Sequence, residues 1–193
     1  MARRYSVPMH ARQSLPLLWL LSDVRNDAGL EQALERLPQG SGIVFRHYHL
    51  DPAARRARYV TLCAKARVRR HLVILSRADW ETVAAWDADG LYGSPEHLPG
   101  DPPPGKLWLA TAHDSEEMQQ ALALGASGIF LSPVFPSASH PGGETLGVFG
   151  FRVLAQQSPV PVIALGGMDE ARARELDWPR WGAIDGLAST KVA

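Results

Sequence analysis

A chain of 193 residues with 46% hydrophobic content is sized for one globular domain with a sizeable core rather than for two. Its 20 Lys and Arg balance 20 Asp and Glu, so it lacks the basic excess of a nucleic-acid binder, and no apolar run approaches the ~20 residues needed to cross a bilayer. Cys63 is the single cysteine, which excludes an internal disulfide and a cysteine-based metal cluster; the chain is expected to be cytoplasmic.

Residues 1–15 read as an N-terminal arm and residues 16–193 as the folded domain. The first 23 residues combine early arginines with an apolar run at 15–21. No small-residue cleavage site follows, and the run stops at Ser22-Asp23, so it reads not as a signal peptide but as a first buried strand over Leu17 to Leu21. Further short apolar runs follow at 42–45, 72–75, 90–92, 107–110, 128–131, 160–164 and 183–187. Continuous Val/Ile/Leu runs of this length suit strands buried on both faces, as in a parallel sheet.

Helices are expected between them. Asp51 followed by Pro52 is an N-cap with proline at the first helical position, opening a helix over 51–70. The basic run Arg55 to Arg70 lies on that helix and reads as a solvated outer face, with an anion or partner patch as the sharper alternative. Residues 78–86 follow the third strand, Asp114-Ser115-Glu116-Glu117 opens a helix ended by Gly125, and 169–176 follow the seventh strand. Residues 99–105 hold four prolines and two glycines and read as a connection. Residues 137–147, rich in Ser, Gly and Pro, form a loop too long for an ordinary strand–helix turn. Repeated strand–helix units point to a single-domain α/β (β/α)8 TIM barrel, with a doubly wound sheet as the alternative. Too few residues follow Thr190 for an eighth helix, which is expected to be truncated, missing or replaced by the N-terminal arm.

In such a barrel the site lies at the strand C-termini, and phosphate commonly binds after strands seven and eight. Gly166-Gly167 stands after the seventh run and Ser189-Thr190 after the eighth; glycines let backbone N–H groups approach an anion, and hydroxyls add donors. His10, His47, His49 and His71 read as surface or core-edge residues, and no metal site is assigned.

Four stretches carry a resemblance. The run from Gly125 to Gly142, containing Ser132-Pro133-Val134-Phe135-Pro136-Ser137-Ala138-Ser139-His140, the turn Pro161-Val162-Ile163-Ala164-Leu165-Gly166-Gly167, and the landmarks Leu98-Pro99 and Thr111-Ala112-His113-Asp114 resemble the thiamine phosphate synthase/thiazole tautomerase (TenI-like) superfamily. The likeness is clear over 87–190 and continues in register over 16–86. It implies a TIM barrel of thiamine biosynthesis that binds a thiazole phosphate through Gly166, Gly167, Ser189, Thr190, Ser137, Ser139 and Thr111. In the synthases a hydroxymethylpyrimidine pyrophosphate is joined to that thiazole phosphate with magnesium. Against that pattern this chain keeps Arg46, flanked by Val44 and Tyr48 on what alternation makes one inward face. It has Ser76 and His97 where the resemblance implies magnesium carboxylates, and His140 where it implies a lysine. The sequence reading therefore expects a metal-independent thiazole tautomerase-like isomerase, with Arg46 at the substrate carboxylate and His140 or His113 moving the proton. Its alternatives are a divergent thiamine phosphate synthase and a catalytically inert thiazole-phosphate-binding regulator. No cofactor is expected, magnesium entering only for a synthase. The expected partner is a small-molecule phosphate ester, with no nucleic acid or membrane; self-association is left open.

Overall fold

The computed structural model describes residues 15–139 and 142–187. Eight parallel strands close into a barrel in sequential order. They are β1 (Leu18–Leu21), β2 (Gly42–Phe45), β3 (Leu72–Ser76), β4 (Gly90–Gly93), β5 (Leu107–Ala112), β6 (Gly128–Leu131), β7 (Val162–Ala164) and β8 (Trp181–Ala183). Closure is made by β8 on β1, with Leu18 opposite Trp181, Trp19 opposite Gly182 and Leu20 opposite Ala183. The doubly wound alternative is thereby excluded.

Strand alternation sorts the apolar residues into two concentric layers. Trp19, Leu21, Val44, Ile74, Leu109, Phe130 and Ile163 point inward and fill the barrel, where Trp19 and Phe130 meet edge-on at 5.5 Å between centroids. Leu15, the last residue of the expected arm, is buried with this inner group. The barrel admits the Trp19 indole because glycine stands beside it. A Cβ on Gly42 would overlap the Trp19 ring, and one on Gly182 would lie 3.1 Å from its Cβ. Leu20, Ile43, Phe45, Val73, Leu75 and Ile129 belong to the outer layer, beneath the helices.

Among the described residues six α-helices surround the barrel: α1 (Leu30–Arg36), α2 (Pro52–Val68), α3 (Trp80–Ala85), α4 (Ser115–Ala123), α5 (Gly147–Ala155) and α6 (Glu170–Leu176). Four begin on an aspartate whose carboxylate accepts an N–H of the first turn. These caps are Asp51 to Ala54 (2.9 Å), Asp79 to Thr82 (2.7 Å), Asp114 to Glu117 (2.9 Å) and Asp169 to Arg172 (2.9 Å). The strand–helix rhythm is broken between β4 and β5, where one 3-10 turn, Pro95–His97, replaces a helix. The prolines at 99, 102, 103 and 104 deny that segment the donors a helix needs. The expected eighth strand lies two residues early, because the chain leaves the sheet after Ala183 to form the barrel mouth.

The basic run on α2 is neither a free solvated face nor an anion patch along its length. Arg58 pairs with Asp27 and Glu31, Lys65 with Glu35 and Arg67 with Asp89, while Arg55 donates to the carbonyls of Arg46 (3.3 Å) and Ser76 (2.5 Å). These arginines tie the helix layer to the strand ends. His71 is also a core residue, not an edge one: it is buried and donates from Nε2 to the Leu34 carbonyl at 3.0 Å.

Candidate functional site

A cavity of about 1110 Å³ opens at the C-terminal ends of the strands and runs past β8 to Leu18 and the flank of α1. The structure brings Arg46, Thr111, His113, Ser137, Ser139, Gly166 and Gly167 to its walls. His140, Ser189 and Thr190 lie outside the described residues.

Arg46 leaves the end of β2 and donates through Nη2 to Asp23 Oδ2 at 2.9 Å. Its Nε is buried and has no hydrogen-bond partner among the described residues. A cation with an unspent buried donor in a cavity wall suits an anionic ligand. Burial pushes the Asp23 carboxyl up, but hydrogen bonds from Arg25 and the charges of Arg46 and Arg25 outweigh it and hold the group below its ordinary value. Arg25 reaches further. It donates to Ser139 Oγ at 3.1 Å and pairs with Asp185 at 3.4 Å, joining the loops after β1, β6 and β8 around the mouth.

The alternation that was to keep Tyr48 on the inward face with Arg46 fails at His47, whose φ of 37° turns the chain. Tyr48 does not line the cavity; its hydroxyl bonds Ser76 Oγ at 2.6 Å, and the Arg77 guanidinium stands 4.1 Å from its ring centroid. His47 itself is not a surface residue. Its ring is fully buried, with Nδ1 2.8 Å from Ser22 Oγ and Nε2 2.7 Å from Asp27 Oδ1. Burial lowers its pKa, and the Asp27 partner offsets that only in part.

His113 sits on the rim with its side chain half exposed, paired to Glu117 at 2.8 Å. Thr111 and Tyr92 line the inner wall. Burial raises the Tyr92 phenol well above its ordinary range, so it stays protonated and available as a donor at neutral pH.

The glycine pair after β7 has a packing reason before any ligand reason. Both residues have positive φ. A Cβ on Gly166 would come 2.6 Å from Pro133 Cα, and one on Gly167 would overlap the Pro136 carbonyl. The loop after β6 lies on this turn, with Val134 N–H donating to Leu165 O (2.9 Å) and Phe135 N–H to Gly166 O (3.1 Å). The N–H groups of Gly166 and Gly167 themselves donate to no protein acceptor among the described residues. Backbone donors left unspent in a cavity wall suit a phosphate.

His47 and His71 give a pH prediction. Burial lowers both pKa values below the ordinary 6.5, so each ring is neutral in the fold and takes a proton more readily unfolded. The stability this contributes is complete above about pH 6.5 and falls as pH drops from there toward the lowered native values, with a slope of at most about 1.4 kcal/mol per pH unit for each histidine. The carboxylates Asp23, Asp27 and Glu31, all held below their ordinary values, lose their contribution only from about pH 5 downward. Urea unfolding between pH 8 and 5 checks this; a flat profile across pH 6.5 contradicts it.

A closed barrel that gathers an arginine, hydroxyls and a glycine turn at the C-terminal ends of its strands is, as a class, a (β/α)8 barrel built to hold a small ligand at that face. The sequence model of the family described as thiamine monophosphate synthase matches residues 20–178, and the chain belongs to that family of thiamine biosynthesis. The thiamine-phosphate synthase of Pyrococcus furiosus is 26% identical over 186 residues, 93% of this chain and 87% of that protein. That of Salinibacter ruber is 31% identical over 182 residues, 88% and 78%. The match to the Chloroflexus aurantiacus enzyme, at 30% identity, spans about half of that protein's length, 54%. Among solved structures, thiamine phosphate pyrophosphorylase from Pyrococcus furiosus superposes with a TM-score of 0.72 over 91% of this chain and 89% of that one, at 22% identity. The citrate synthase SbnG superposes at 0.58 with 13% identity over 89% and 87%, so the barrel alone does not select a chemistry. These relatives correct the expectation of a tautomerase-like isomerase: the proteins this chain resembles are named as synthases, which are transferases. Ser76 and His97 in place of carboxylates bear on how charge is met and not on which bond is made.

Proposed function

We propose that this chain is a divergent thiamine-phosphate synthase that holds a thiazole phosphate at the Gly166–Gly167 side of the mouth and receives the pyrophosphate of the second substrate at Arg46. The observation that carries the reading is the Arg46 guanidinium, set in the cavity wall with an unpartnered buried Nε and one carboxylate neighbour, Asp23. In the reaction the thiazole ring nitrogen uses its lone pair to bond the pyrimidine methylene carbon. The carbon–oxygen bond to pyrophosphate breaks, and that group leaves with the bonding electrons. Fixed positive charge at the departing oxygens lowers the barrier because it needs no reorganisation as the bond breaks. Thr111, Ser137 and Ser139 add neutral donors in the cavity wall.

Magnesium does not fit the residues present. Among the described residues no three His, Cys, Asp or Glu side chains converge to hold a metal ion. Ser76 is bonded to Tyr48 and His97 to Ser94 Oγ at 2.7 Å, and neither replaces the carboxylate oxygens that a hard divalent cation prefers. No step is assigned to a metal.

The test is to supply both substrates to the full chain with excess EDTA and again with magnesium, following thiamine phosphate. Product in both conditions at similar rates is the expected result. Product only with magnesium overturns the metal-free reading, and none in either condition overturns the synthase. Binding of thiazole phosphate without turnover would then favour the inert regulator, which the sparse metal donors also suit.

A further inference from the structure

Among the described residues the Arg46 guanidinium has one hydrogen-bond partner, Asp23, and stands 5.6 Å from the Tyr48 ring centroid, so the direction in which it leaves the strand depends on how its backbone is held. We propose that His47 is a positioning residue for Arg46: through the Ser22 hydroxyl it fixes the Arg46 amide and so aims the guanidinium into the mouth. This rests on the reading of Arg46 as the anion contact.

Valence dictates the direction of every hydrogen bond in the relay. Asp27 also accepts from Arg58 Nε at 2.7 Å, and its carboxyl is held below its ordinary value: burial raises it, but the bonds from His47 and Arg58 prevail. An ionised carboxylate only accepts, so His47 Nε2 carries the ring proton and donates to it. Nδ1 of the neutral ring is then an acceptor, and the Ser22 hydroxyl donates to it. The lone pair left on Ser22 Oγ accepts the Arg46 N–H at 2.8 Å. On its other side, the Arg46 carbonyl accepts from Arg55 Nε at 3.3 Å. The Arg46 residue is therefore held at both its N–H and its C=O.

The relay is anchored in the helix layer. Arg58 of α2 donates to Asp27 and also pairs with Glu31 of α1. Within it, the His47 ring stacks on Phe45, with centroids 4.7 Å apart and planes 13° from parallel. Its side chain is fully buried, so it cannot touch a substrate. Its φ of 37° lies in the left-handed region, uncommon for a residue with a side chain, and turns the chain immediately after Arg46. A histidine that served only to fill the core would need neither a carboxylate partner nor a serine shared with the Arg46 amide.

The experiment measures inorganic pyrophosphate binding by calorimetry on the full chain as wild type, Ser22→Ala, His47→Leu, Arg46→Ala and the doubles Ser22→Ala/Arg46→Ala and His47→Leu/Arg46→Ala. Thermal unfolding accompanies each to establish that the protein is folded. Ser22→Ala removes one buried oxygen and keeps the proposal testable if His47→Leu fails to fold. Each single relay variant is expected to weaken binding about fivefold or more, and neither double is expected to bind worse than Arg46→Ala alone, because residues acting through one another do not add. If Arg46→Ala binds weakly while the relay variants bind as wild type, or if the losses multiply in the doubles, the positioning role is overturned. If Arg46→Ala binds as wild type, the anion-contact reading falls and takes this proposal with it.

Discussion

Arg46→Ala is expected to lower the rate of thiamine phosphate formation by about 100- to 1000-fold, the range seen when one preorganised donor to a developing oxyanion is removed. Two effects act in the same direction. The substitution deletes the guanidinium whose buried Nε is unspent, and it leaves Asp23 in the mouth with Arg25 as its remaining counter-charge. The mouth then turns more negative where pyrophosphate must sit. Arg46→Lys restores a charge but not the planar fork, so it is expected to recover only part of the loss. Steady-state kinetics with each substrate varied in turn decides the matter. The loss should fall on kcat, because the charge that Arg46 meets grows as the bond breaks. A variant within about threefold of wild type, on the ordinary scale of surface substitutions, removes Arg46 from the chemistry.

Trp19→Ala is expected to cost about 3–5 kcal/mol of stability, the usual penalty for truncating a buried aromatic. That is a large share of the ~5–15 kcal/mol that holds a typical domain together. The indole is fully buried inside the barrel, meets Phe130 edge-on, donates from Nε1 to the Pro16 carbonyl at 3.0 Å and is bounded by Gly42 and Gly182. The glycines have no side chain to move into the space, and the neighbouring strands are locked by their ladder, so the cavity stays open. Urea unfolding at pH 7.5 measures the cost; less than about 1 kcal/mol would mean that the barrel collapses around the gap.

The barrel was legible because its strands are continuous apolar runs and because Asp51, Asp114 and Asp169 punctuate the helices that follow three of them. Two helices were not. α1 starts after Gly29 and α5 at Gly147, both without a side-chain cap, and α5 carries Gly147 and Gly150. Arg46 could be picked out as a lone cation beyond an apolar strand, and the glycine turn as a break after another. The partners of Arg46 could not. Asp23 and Ser22 lie 23 and 24 residues away, and only the parallel pairing of β1 with β2 brings them to it. The nearest signal was their position directly after the first apolar run, where a barrel places its functional groups. Tyr48 was misplaced because a single left-handed residue, His47, breaks the alternation on which the inward face was read. The helix-face arginines were misjudged because a charge run shows nothing of the carbonyls it will meet.

Arg25 touches Asp23 beside it, Ser139 after β6 and Asp185 after β8. Those three loops are consequently not interchangeable modules. Grafting the loop after β1 from a relative, as in a chimera or a library built to shift substrate preference, discards the anchor of the other two, and grafting either of those strips the arginine of one contact. Remodelling this mouth has to treat the three as a single exchangeable block, carried over together with the arginine that clasps them.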